Sequence, residues 1–391
     1  MTKTITNVFD LLAERGFIHT TTHNERLRAA LATPTTFYLG IDPTADNLHI
    51  GHFLALRVFK ILQDHGHKGI ILLGTGTALV GDPSGKSEMR KMLSPEEVAH
   101  NTAGIKATLA RFIDVDKAIY AENGDWLKPK DCVSYAVEIL SQFNIAEMLS
   151  HDCYKNRVSN GLTLFEMTYM TMQAYDFVHL NTEYGCTLQI GGSDQWANIT
   201  AGSDLGRKMA FGSGKPRPEM FGLCIPLLVN ANGTKMGKTE KGTLWVSRPN
   251  EVNTELAFDC YQHFYNVHDA DVERLLTFFT DLPVAEIKRM CEADIIAAKK
   301  YMATAVTTRI HGDFALDTPT VEISTPADAT IVDILVASAL ASSKREAREF
   351  VISGAISVNN EKVTDIAFVP TSTEFTLKKG KKTYLKITIN P

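Results

Sequence analysis

The stretch Phe37-Tyr38-Leu-Gly-Ile-Asp42-Pro-Thr44-Ala-Asp-Asn-Leu-His49-Ile50-Gly51-His52 passes from a short apolar run through a turn into the start of a helical pattern. Residues 69–73 (Gly-Ile-Ile-Leu-Leu) repeat that rhythm, since both runs read as buried strands that lead through glycine into a loop and then a helix. A third strand is expected over Thr187–Ile190, ending at Gly191-Gly192 and followed by a helix from Gln195. Strands alternating with helices define an α/β fold with a parallel sheet. In open sheets of this kind ligands bind beyond the carboxyl ends of the strands, so the loops after these runs are where chemistry is expected.

The loop after the first strand carries three features suited to a phosphate. A helix N-terminus presents unpaired N–H groups, Gly51 allows close backbone approach, and His49 and His52 can donate to phosphate oxygens. Two histidines at i and i+3 also arise as packing residues or metal ligands. No third ligand lies in reach and no His-Glu-x-x-His pattern is present, so a protein-bound metal is not expected. Further along, Asn232-Gly-Thr-Lys235-Met-Gly-Lys238-Thr239 is a glycine-punctuated loop with two ammonium groups spaced to meet one polyanion. Taken alone it also fits a solvated turn.

Two other glycine-bearing segments do not carry nucleotide chemistry. Gly81-Asp82-Pro-Ser-Gly85-Lys86-Ser87 imitates the end of a P-loop, but Val80 replaces the first glycine and Pro83 removes a cradle N–H. Gly74-Thr-Gly76 meets Leu79 where a dinucleotide-binding fold needs its third glycine.

In Thr168-Tyr169-Met-Thr-Met-Gln173-Ala-Tyr-Asp176, residues Tyr169, Gln173 and Asp176 stand at i, i+4 and i+7, on one face of an otherwise apolar helix. A polar stripe there meets either hydrogen-bonding partners or water, and by spacing alone a solvent-facing stripe is the commoner outcome.

The chain of 391 residues, 44% hydrophobic, is long enough for two or three domains. Its first twenty residues include Asp10, Glu14 and Arg15 and lack a signal peptide's apolar core, and no later run approaches the length of a membrane span. A cytoplasmic location and no membrane partner are expected. The six cysteines, Cys132, Cys153, Cys186, Cys224, Cys260 and Cys291, show neither zinc nor redox spacing and read as free thiols. A net charge of −5 argues against bulk electrostatic binding of nucleic acid, yet beyond residue 331 bases outnumber acids.

The expected organisation is a Rossmann-like catalytic domain over 1–246, a small helical domain over 247–315 and a linker over 316–330. A basic α+β module follows over 331–391, with a hairpin turning at Asn359-Asn360.

The histidine and lysine segments, in this order, resemble the paired signatures of class I aminoacyl-tRNA synthetases. With Gly-Asp82-Pro-Ser-Gly, Thr-Tyr169-Met-Thr-Met-Gln173-Ala-Tyr-Asp176 and Gln189-Ile-Gly-Gly192-Ser-Asp194-Gln195-Trp196, the chain is similar to the bacterial tyrosyl-tRNA synthetases from about residue 5 to its end.

That resemblance implies activation of L-tyrosine with ATP to tyrosyl-adenylate and transfer to tRNA(Tyr), with Mg²⁺ bound through ATP phosphates. It implies that Tyr38 and Asp176 meet the phenolic hydroxyl, that Tyr169, Gln173 and Asp82 hold the ammonium group, and that Gln195 lies near the carboxylate. It assigns Gly192, Asp194 and His52 to the ribose, and Thr44 and His49, beside Gly51, to the outer phosphates. Lys86, Arg90, Lys235 and Lys238 fall to the departing pyrophosphate.

Residues 331–391 resemble a small RNA-binding module that grips the variable arm of the tRNA, and a homodimer is implied, with Gly161–Met167 offering apolar side chains. Two alternatives remain at this stage. A tryptophanyl enzyme shares the fold but has no use for the Tyr38 and Asp176 pair, and an RNA-binding protein that lost catalysis would not need His49, His52, Lys235 and Lys238.

Overall fold

The computed structural model describes residues 7–84, 90–214, 218–236, 238–239, 242–246, 253–312, 320–326, 328–359, 361–380 and 383–390. The chain forms two compact units, Met1–Pro249 with Ala270–Ala293, and Asn250–Asp269 with Asp294–Pro391.

The first unit is built on a six-stranded sheet of β1 (Thr20–Thr21), β2 (Thr36–Ile41), β3 (Lys68–Leu73), β4 (Ile119–Glu122), β5 (Cys186–Gly192) and β6 (Phe221–Ile225). Their spatial order is β1-β6-β5-β2-β3-β4. Only the edge strand β1 runs antiparallel to its neighbour. The expected strands are thus present, each slightly longer than its apolar run. Nearly continuous burial along β3 and β6 is what helices on both faces of a parallel sheet impose.

The order of connection creates the site. From β2 the chain moves outward through helix Ile50–Asp64 to β3 and β4. It then returns to the other side of β2 as β5, through helix Leu164–Tyr184. The strand order thus reverses between β2 and β5, the position at which such sheets use their strand ends for ligands. The returning helix is firmly delimited. Thr163 and Glu166 cap its start reciprocally, and Gly185 closes it at φ 63°, a left-handed position that favours glycine.

Two segments group differently from the expected boundaries. Residues 270–293, assigned to the helical domain, belong to the first unit. Helix Asp269–Phe279 brings Phe278 and Phe279 against Phe17 and Phe53, with ring centroids 5.3 and 5.6 Å apart, and Arg57 pairs with Asp281 at 2.6 Å. Aromatic burial decides which body these residues join. Within the expected linker, Thr320–Ser324 forms a strand, β9, whose Ile323 is buried.

A two-stranded pair, β7 (Lys238–Thr239) and β8 (Gly242–Thr243), lies earlier in the chain. In the second unit helices Asn253–Tyr265 and Ile295–His311 pack together. It also holds a five-stranded sheet of β9, β10 (Ile356–Val358), β11 (Glu361–Val363), β12 (Glu374–Lys379) and β13 (Thr383–Asn390), in order β11-β10-β12-β13-β9. β9 pairs parallel with β13, and helices Ile331–Ala337 and Lys344–Ile352 close a core of Ile334, Leu335, Val351, Ile356, Leu377 and Ile387. Asn359 takes φ 49° at the hairpin turn, as its side chain allows.

Candidate active site

The histidine segment caps its own helix. His49 is the N-cap of Ile50–Asp64, its Nδ1 accepting from Gly51 N at 3.1 Å, while His52 Nδ1 accepts from His49 N at 3.3 Å. The rings stack 3.9 Å apart. Each Nδ1 is thereby committed as an acceptor, which leaves Nε2–H as the donor of a neutral imidazole. Burial lowers both pKa values, that of His52 to about 3, and the neighbouring charges of Lys235 on His49 and of His49 on His52 act in the same direction. Both rings are neutral at pH 7. Gly51 is required because a Cβ there would lie 2.9 Å from His49 Cε1. Residues 244–246 lie along the segment, Ile50 N donating to Leu244 O at 3.1 Å and Val246 N to Leu48 O at 2.8 Å.

The stripe on helix Leu164–Tyr184 faces inward. Tyr169 and Asp176 are 6% and 1% exposed, which excludes a solvated face. The Asp176 carboxylate accepts from Asn123 Nδ2 and Trp126 Nε1, both at 2.8 Å. Burial pushes its pKa to about 7, against the lowering effect of those two donors. Across from it on β2, Tyr38 is fully buried, and among the described residues its hydroxyl has no partner. Gln173 Oε1 on the helix and Gln189 Oε1 on β5 are likewise buried without a partner, and Gln189 stands beside Tyr38 in the sheet register.

At the other end of the stripe the Tyr169 hydroxyl donates to Asp42 Oδ2 at 2.8 Å, and Thr77 Oγ1 donates to Asp42 Oδ1 at 2.7 Å. Burial raises Asp42 to about 6 in spite of these bonds. Gly74 leaves room for this contact, since a Cβ there would sit 1.9 Å from Asp42 Oδ1. Asp82, 7% exposed, accepts from Ser84 N at 2.9 Å and Gln195 Nε2 at 2.6 Å.

The remaining expected residues divide. Gly192 ends β5 next to Asp194, whose Oδ2 lies 3.3 Å from Lys235 Nζ. Thr44 is exposed at the turn after β2, and Arg90 Nε donates to Asp82 O at 2.7 Å. Lys86 and the side chain of Lys238 lie outside the described residues.

Sequence reasoning gave no role to Asp42, Thr77, Asn123, Trp126 or Gln189. Asn123 and Trp126 follow β4, and the rule that directs attention beyond parallel strands would have found them, had the strand at 119–122 been recognised.

Residues 31–320 match the family of tRNA synthetases class I (W and Y), and residues 310–387 match the tyrosine–tRNA ligase SYY-like C-terminal domain. The chain belongs to the class I tRNA synthetases of the W and Y family. Tyrosine–tRNA ligases of Clostridium kluyveri and Clostridium tetani are each 42% identical to it, over 98% of this chain and 99% of theirs. A C-terminally truncated mitochondrial tyrosyl-tRNA synthetase of Aspergillus nidulans superposes with a TM-score of 0.67 at 26% identity, covering 78% of this chain and 90% of that one.

The activity shown is that of a tyrosine–tRNA ligase.

Proposed function

We propose that the tyrosine pocket lies between β2, β5 and helix Leu164–Tyr184, and that the histidine segment and lysine hairpin handle the triphosphate. The observation that carries this reading is the set of buried atoms lacking partners, Tyr38 Oη, Gln173 Oε1 and Gln189 Oε1, beside the buried Asp176 carboxylate. Buried polar atoms without partners are costly, and a zwitterion with a phenol at its far end satisfies them. The substrate hydroxyl donates to Asp176 and accepts from Tyr38.

Tyr169 has committed its proton to Asp42, so its oxygen accepts from the substrate ammonium, along with Gln173 Oε1 and the Asp82 carboxylate. Gln195, held on Asp82, lies toward the substrate carboxylate.

That carboxylate attacks the α-phosphorus of Mg·ATP, the α-phosphorus to β-phosphate oxygen bond breaks, and pyrophosphate leaves. No protein nucleophile takes part, so catalysis is positioning and charge stabilisation. The Nε2–H of His49, with Thr44, donates to the outer phosphates. Gly51 allows the nucleotide to lie against the helix start, and His52, Gly192 and Asp194 hold the ribose. Lys235 and Lys238, with Lys86 and Arg90, neutralise the departing pyrophosphate. Mg²⁺ arriving with ATP would be bound chiefly through the phosphate oxygens and would supply charge stabilisation there, since the imidazole N–H and ammonium groups facing the phosphates offer no hard oxygen donor.

Lys235→Ala tests the assignment. Single-turnover adenylate formation is expected to slow by about 10²-fold or more, the typical effect of losing one preorganised charge-stabilising donor. The tyrosine dissociation constant should hold, and a raised constant with an intact rate would overturn the assignment.

A homodimer and a cytoplasmic location complete the proposal. Within Gly161–Met167, Leu164 is 73% exposed and Phe165 is exposed as well, which supports the use of these apolar side chains for a second copy. Light scattering is expected to give twice the chain mass, with Leu164→Glu reducing it to one. A monomeric wild type at micromolar concentration rejects the dimer. Among the described residues no helix is long and apolar enough to cross a membrane. Helices Asn253–Tyr265 and Ile295–His311 are proposed to serve the anticodon end of the tRNA, and the basic module from 331 its variable arm.

A further inference from the structure

Leu228–Met236 folds as a hairpin whose turn takes Gly233 through φ +78°. Asn230 N donates to Thr234 O at 2.8 Å and Met236 N to Leu228 O at 2.7 Å, and Asn230 Oδ1 accepts from Thr234 N at 2.9 Å. These bonds flank Val229 and Lys235, which oppose each other as a pair not bonded to one another. The Val229 carbonyl therefore points away from the hairpin and needs another partner.

It finds one on helix Asp269–Phe279. Arg274 Nη2 donates to Val229 O and, at 2.7 Å, to Asp271 Oδ1, while Asp271 Oδ2 accepts from Ala231 N at 2.9 Å. Asp271 is 2% exposed. The helix itself is fixed, since Val272, Leu275, Leu276 and Phe279 are fully buried.

We infer that Asp271 and Arg274 are positioning residues for the lysine hairpin, gripping the strand that pairs with Lys235 so that its ammonium is presented from a fixed base. Asp271 and Arg274 pair with each other, and each also meets hairpin backbone, a contact that stabilising the helix alone does not call for. The inference rests on the proposed role of Lys235 and extends it to residues that touch neither substrate.

The test measures single-turnover adenylate formation against ATP concentration, together with tyrosine binding and melting, in full-length Asp271→Ala, Asp271→Asn, Arg274→Lys and Lys235→Ala, and in each of the first three combined with Lys235→Ala. Asp271→Ala is expected to slow activation by about tenfold or more, the scale of a buried donor left unmatched, with tyrosine affinity unchanged. Asp271→Asn keeps an acceptor for the Ala231 N–H and should recover most of the rate. In the Lys235→Ala background the same changes should add little, because residues acting through one group are not additive.

Independent, multiplicative losses, or unchanged activation in Asp271→Ala, would sink the inference while leaving the Lys235 assignment standing. An intact rate in Lys235→Ala alone instead removes the assignment beneath it. If Asp271→Ala does not fold, Asp271→Asn and Arg274→Lys carry the same additivity test, Arg274→Lys retaining the charge but not the reach to two acceptors.

Discussion

Asp176→Ala is expected to cut the preference for tyrosine over phenylalanine sharply while leaving the protein folded. The carboxylate is buried, held by Asn123 and Trp126, and in the proposed pocket takes the one proton that distinguishes the two amino acids. Losing a buried acceptor costs about 1–3 kcal/mol, and more where a charge is involved, so the ratio of specificities should fall by roughly 10²-fold or more. Pyrophosphate exchange titrated with each amino acid reads that ratio. An unchanged value would show that the polar face of helix Leu164–Tyr184 is structural.

Stability should move the other way with pH. The folded-state pKa of Asp176 is raised to about 7, above its unfolded value, so the native protein binds the extra proton between roughly pH 4 and 7. Stability from this group is full below that window and is lost as pH rises through it, by up to ~1.4 kcal/mol per pH unit. Asp176→Asn removes the slope. Melting temperatures should converge near pH 4 and favour the variant at pH 8, and parallel profiles would refute the buried-carboxylate assignment.

Removal of residues 320–391 should leave tyrosine activation within about twofold and depress tRNA charging by roughly 10²-fold or more. The residues proposed for adenylate formation all lie in the first unit, whereas the exposed bases Lys344, Arg345, Arg348 and Lys362 lie in the C-terminal module. Phosphate contacts of this kind position an RNA and carry most of its affinity, so charging by the full chain should also weaken steeply with salt.

The boundary matters. A deletion starting at 331, the expected module edge, would strand β9 without its partner β13 and leave Ile323 uncovered. That shorter deletion should aggregate where the longer one does not. Equal charging by full-length and truncated protein would rule out the module as the tRNA grip.

Lys379, although part of the basic excess, is not available for RNA: its ammonium donates to Leu340 O at 2.6 Å and sits 3.9 Å from the Phe350 ring centroid. Charge counted along a sequence overstates charge offered to a partner.

What the sequence by itself determined is what a few neighbouring residues encode. Apolar runs closed by glycine set β2, β3 and β5, the spacing of Tyr169, Gln173 and Asp176 set one helical face, and His49 with His52 carried the helix start, because periodicity and capping act over one or two turns. Only the tertiary structure decided which way that face points, since spacing is identical for a wet stripe and a buried one.

It also decided the partners. Asn123 reaches Asp176 across 53 residues, Tyr169 reaches Asp42 across 127, and Ala231 meets Asp271 across 40. The same holds for β9, whose place in a sheet depends on β13 far along the chain, and for helix Asp269–Phe279, drawn to the first unit by aromatic contacts with Phe17 and Phe53. A hydrogen bond or a packed ring between distant segments is selected by the order in which strands assemble, and no local pattern of residues carries that order.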